Sequence, residues 1–125
     1  MTKYLMVAIG GALGSVLRFW VGTYISNRIA TRFLAGTFVV NVTACFLIGF
    51  VITVLTEKSS WNPNWRYLIP IGFIGGYSTF STFEYETFRV FQEGDFLIAG
   101  LNVIFSVVVG FVSVWVGVIT GRIIQ

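Results

Sequence analysis

The chain has 125 residues, a mean hydropathy of +0.86, 56% apolar but only 10% charged side chains, and a formal charge of +3. That composition excludes an ordinary soluble domain and leaves room for a single membrane domain, residues 1–125, with no separate soluble one. Zero His and one Cys exclude a Cys/His metal site, a Cys/His or Ser/His/Asp catalytic constellation and an intramolecular disulfide, and the eight Lys and Arg form no basic tract for nucleic acid.

A membrane-spanning helix needs about 20 mostly apolar residues, and four segments satisfy this: 4–25, 33–55, 67 to about 91, and 96–120. The first opens after Lys3 like a signal peptide, but no small-residue cleavage site follows, so it is expected to be retained as a span. It carries Gly10, Gly14, Arg18 and Gly22 at four-residue intervals, which stacks them along one helical face. The glycines let another helix approach closely. A guanidinium at this depth must reach water, a partner or the head groups, so Arg18 is either a snorkelling anchor or a functional group. The second span repeats the spacing with Thr37, Asn41, Cys45 and Gly49. Asn41 needs hydrogen-bond partners in hydrocarbon, either another helix or the contents of a pore. Cys45, in an apolar run, reads as an inert buried thiol.

The third span contains Gly75-Gly76-Tyr77-Ser78-Thr79-Phe80-Ser81-Thr82-Phe83. Paired glycines followed by hydroxyl residues make a poor helix interior and predict a break at the bilayer midplane. Irregular backbone at that depth is tolerated only inside protein or beside a watery cavity, where unwound carbonyls commonly hold a cation. Phe80 and Phe83, three apart, share a face where helix resumes. They are either packing or, through the positive edges of their rings, contacts for a small anion. The fourth span offers Asn102, Ser106 and Gly110 on one face. From periodicity alone such stripes also serve simple helix packing.

Short connections separate the spans, with Pro63 in the second and Gly94 in the third, and Trp61, Trp65 and Tyr67 stand where an interfacial aromatic belt falls. Four spans place Lys3, Lys58, Arg66 and Arg122 on one side and Arg28, Arg32 and Arg89 on the other, four against three. Since the excess of cytoplasmic Lys and Arg sets orientation, this near balance permits insertion both ways round, with one translocon-set orientation as the alternative. Two opposed copies would pair about a two-fold axis in the membrane plane.

The third-span segment, together with Gly10-Gly11-Ala12-Leu13-Gly14-Ser15-Val16-Leu17-Arg18 and Gly36-Thr37-Phe38-Val39-Val40-Asn41, resembles the Fluc (CrcB) fluoride channels over essentially the whole chain. The resemblance implies an all-α integral membrane protein whose four transmembrane helices, the third broken at mid-membrane, form an antiparallel dual-topology homodimer with two pores. It implies that Phe80 and Phe83 contact fluoride by ring edges. Asn41, Thr37 and Ser106 then line the fluoride path, with Ser81, Thr82 and Glu86 as weaker matches along it. Arg18 would draw anions to the vestibule, and the main-chain carbonyls of Gly75 and Ser78 would hold a structural sodium ion at the dimer centre. The implied role is passive fluoride export from a bacterial inner membrane, conferring fluoride resistance. No Gly-x-x-x-x-Gly-Lys loop for ATP is present, and the chain is read as a channel and not an enzyme. Two rivals remain. A small dual-topology proton-coupled multidrug transporter requires a buried titratable carboxylate, and the first span has none. A non-transporting assembly subunit leaves the Phe-Ser-Thr-Phe run without a role.

Overall fold

The computed structural model describes residues 1–31, 33–57 and 62–124. Arg32, Lys58 and Trp61, which enter the charge count and the aromatic belt, lie outside the described residues.

The described residues are helical throughout apart from short connections: α1 (Thr2–Arg28), α2 (Ala35–Glu57), a π-helical segment (Tyr67–Ile74), α3 (Gly75–Tyr77), α4 (Phe80–Gln92) and α5 (Phe96–Ile123). Helical segments cover the four predicted spans, with ends displaced by at most three residues. Three helices, α1, α2 and α5, are long and apolar enough to cross a membrane. The third predicted span is instead a composite. Pro70 lies inside its first half and cannot donate a backbone hydrogen bond, and that half takes the wider π winding.

The third span changes neighbours at its break. Its first half packs on α1, whereas α4 packs on α5 and only lightly on α2. The glycine stripe of α1 makes the first contact possible. Gly10 and Gly14 are buried, and a Cβ on Gly14 would fall 2.8 Å from the backbone nitrogen of Tyr77. A Cβ on Gly76 would likewise fall 2.6 Å from the carbonyl oxygen of Gly11, so both sides of the seam use the missing side chain. Further along α1, Gly36 of α2 comes so close that a Cβ there would stand 2.6 Å from the Gly22 carbonyl. Buried Gly49, Gly117 and Gly121 serve the seam between α2 and α5 in the same way, reinforced by the Ser113 hydroxyl donating to the Val42 carbonyl at 2.8 Å.

The core sits between α2 and the third span: Val40, Ala44, Ile74 and Tyr77 are buried together, and the Tyr77 and Thr43 hydroxyls are hydrogen-bonded at 2.9 Å. Large apolar side chains point outward instead, with Phe19 on α1 75% exposed and Phe111 on α5 77% exposed. Such a surface suits lipid rather than water. Between α4 and α5 the chain turns through Gly94 at φ 88°, with Asp95 N–H donating to the Val90 carbonyl and Gly94 N–H to that of Phe91. This is a Schellman closure of α4, which needs the left-handed residue that glycine supplies.

Candidate functional site

The break falls at Ser78 and Thr79, the first serine and threonine after the Gly-Gly pair, inside the run that predicts it. Gly75 remains helical, at φ −62° and ψ −34°, while Ser78 and Thr79 are extended. Gly76 serves the seam with α1, and polar side chains stop the helix. The Thr79 hydroxyl caps α4 by accepting from Thr82 N–H at 3.3 Å and donates to the Thr82 hydroxyl at 3.0 Å. Asn41 of α2 supplies the rest. Its Nδ2 donates to the Thr79 carbonyl at 2.9 Å, and its Oδ1 accepts from Thr79 N–H at 2.8 Å. One side-chain amide thereby pairs both backbone groups of one residue, as a neighbouring strand would.

Diverting Thr79 N–H to Asn41 deprives the Gly75 carbonyl of its i+4 donor. Gly75 is exposed and Ser78 half-buried, and the Ser78 carbonyl accepts from Arg18 Nη1 at a long 3.4 Å. Arg18 thus turns inward to the break.

Around the break, α1, the first half of α2 and the start of α4 enclose a cavity of about 460 Å³, whose lining includes Ser15, Arg18, Thr37, Thr79, Thr82 and Glu86. The structure therefore brings together Arg18, Thr37, Thr82 and Glu86, four of the residues singled out in the sequence, with Asn41 held behind Thr79. The Arg18 guanidinium and several hydroxyls offer hydrogen-bond donors to an anion, while Glu86 when ionised only accepts and gains a donor when protonated. One Glu86 carboxylate oxygen is buried with no hydrogen-bond partner among the described residues.

The other candidates stand outside this lining. Phe80 is 74% exposed and Phe83 only 6%, with ring centroids 5.9 Å apart and planes tilted by 42°. The two phenylalanines are neighbours in very different surroundings. Ser81 is exposed. Ser106 on α5 is half-buried, and its hydroxyl has no partner among the described residues. Asn102, 2% exposed, donates to the Thr87 hydroxyl at 2.7 Å. Gly110 is buried at the α2 seam, where a Cβ would stand 3.4 Å from Cys45 Sγ.

Sequence reasoning placed Thr79 in the run that breaks the helix but not as the cap of α4, and gave Thr87 no role. A cap signal for Thr79 was available in its spacing to Thr82, but Thr87 looks like any helical threonine.

Lipid-directed outer faces around a broken span and a polar, arginine-bearing cavity define a helical integral membrane protein with an internal polar site. The sequence profile described as "CrcB-like protein, Camphor Resistance (CrcB)" matches residues 5–118. The chain is 52% identical to a protein of Acidobacterium capsulatum named "Fluoride-specific ion channel FluC" over 120 residues, 96% of each chain. Proteins of the same name from Solibacter usitatus and a Sulfurihydrogenibium species share 48% and 36% identity, covering 96% and 99% of this chain and 98% and 100% of their own. The chain belongs to the CrcB family.

Proposed function

We propose that the protein is a fluoride-selective channel that lets fluoride leave the cytoplasm passively across a bacterial inner membrane, as an antiparallel dual-topology homodimer with two pores. The observation that carries this reading is the break at residues 78–79. It sets Phe80 and Phe83 into the first turn of α4, interleaved with Thr79 and Thr82, which line the Arg18 cavity. The names of the relatives supply the ion.

In this reading Arg18 raises the local anion concentration at the cavity mouth, and the hydroxyls of Thr37 and Thr82 replace part of the hydration shell of fluoride. Ring edges of Phe80 and Phe83 then offer positive partial charge without a full charge that would trap the ion. Ser81, Ser106 and the second N–H of Asn41 extend the path. Exposure of Phe80, Ser81 and Gly75 in the single chain supports a second copy covering this face, since polar and backbone groups at membrane depth need partners. A negative-inside potential favours exit by ~2.3 kcal/mol per charge per 100 mV.

The family resemblance also implies sodium at the carbonyls of Gly75 and Ser78. The donor set fits in kind, neutral hard oxygens of which one is freed from its helical donor by Asn41, and the Ser78 carbonyl would give up its long contact with Arg18 to hold the ion. A sodium ion there would supply positive charge that holds two facing breaks together.

Efflux from liposomes carrying the purified protein, with valinomycin to release the potential, tests the proposal. Fast fluoride loss with chloride retained is expected, and no fluoride loss from folded dimer overturns it. One observation favours the proton-coupled transporter instead, namely the unpartnered Glu86 oxygen. Uptake of lipophilic cations driven by a proton gradient, without fluoride flux, would establish that alternative.

A further inference from the structure

We propose that Asn102 is a positioning residue which, acting through Thr87, holds the turn of α4 that carries Phe83 and so sets how well the path discriminates fluoride from chloride. This rests on the channel reading above.

Asn102 of α5 is 2% exposed, and its Nδ2 donates to Thr87 Oγ1 at 2.7 Å. The Thr87 hydroxyl in turn donates to the Phe83 carbonyl at 2.7 Å. A buried amide on one helix is thereby tied through a hydroxyl to the backbone of the phenylalanine on the next. The link matters because α4 has few other attachments. It begins immediately after the break, its buried residues are Phe83 and Val90, and it touches α2 only lightly. Asn41 holds the start of α4 at Thr79, and Asn102 holds it two turns on at Thr87. Ring-edge contact with an ion is directional, and such sites need placement to about 0.5 Å, which packing of one ring does not secure.

The test uses the full-length reconstituted protein as Thr87→Val, which keeps shape but loses the hydroxyl, Thr87→Ser, which keeps the hydroxyl, Asn102→Leu, and the Val/Leu double variant. Two readouts are taken: fluoride and chloride efflux, and the ¹⁹F resonance of 4-fluorophenylalanine placed at position 83. Thr87→Val and Asn102→Leu are each expected to shift that resonance and to reduce fluoride-over-chloride preference about tenfold. Thr87→Ser should restore both, and the double variant should be no worse than either single one. An unmoved resonance in Thr87→Val overturns the positioning role whatever the flux, and a moved resonance with wild-type discrimination overturns its functional part. If the unsubstituted protein carries no fluoride, the channel reading fails by itself, and the resonance still decides whether Asn102 positions Phe83. Should Asn102→Leu not fold, Thr87→Val decides alone.

Discussion

Asn41 commits both ends of its amide to Thr79, and that single choice determines what the neighbouring residues can do. It takes up one of the two N–H groups of the amide, withdraws the i+4 donor of the Gly75 carbonyl, and fixes the residue from which α4 starts. The sequence presents Asn41 as a polar residue awaiting either a helix or an ion, and the structure answers with the helix without using up the donor. Phe80 and Phe83 illustrate the reverse limit. Their three-residue spacing correctly predicts neighbouring rings, yet nothing in it distinguishes the exposed ring from the buried one. If both line an ion path, Phe80→Ile and Phe83→Ile should each lower fluoride efflux about tenfold or more, because an aliphatic side chain has no positive edge. The dimer should still elute intact. Wild-type rates in both variants would remove the phenylalanines from the path.

At the scale of the element, hydropathy located the helical segments to within a turn, and three of them are long and apolar enough to cross a bilayer. It could not say which span touches which, since lipid tails are as apolar as leucine and the outer faces carry no directional signal. Glycine spacing carried that information: Gly10 and Gly14 on α1 mark the seam with the third span, and Gly76 answers from the other side. The break was legible from the glycines and the hydroxyl residues after them, and what the sequence could not supply is the amide of Asn41 from another helix that helps to decide it. The π winding before it follows from backbone bonding around Pro70 within a bundle, which a single-chain pattern does not encode. Gly14→Ala should destabilise the protein by ~1–3 kcal/mol, since its Cβ meets backbone that cannot turn aside. Gly100→Ala, with nothing within 4 Å, should stay within about 0.5 kcal/mol, and thermal unfolding in detergent compares them.

The whole molecule joins a lipid-facing exterior to a polar cavity that draws on α1, α2 and α4, regions remote in sequence. Arg18, Thr37, Thr82 and Glu86 could be nominated one by one, but their meeting in a single space depends on the α1 seam and on the direction in which the break releases α4. The dual orientation proposed here rests on the balance of flanking charge, four against three. Reporter fusions at the C-terminus should therefore be active on both sides of the membrane, and activity on one side alone would end that proposal. Adding two lysines next to Lys3 should collapse the two-sided signal to one side.

The exchange of neighbours along the third span also has a mechanical meaning. Its first half packs closely on α1 and its second more lightly on α5, so the span is a two-bar linkage with Ser78 and Thr79 as the joint and Asn41 as the pin. Swinging one bar against the other would break both hydrogen bonds of the Asn41 amide and leave a backbone donor and acceptor of Thr79 unpaired, at roughly 1–3 kcal/mol for each group. A stretch of irregular backbone is consequently held by an amide from another helix, and the side chains mounted beside it share that restraint.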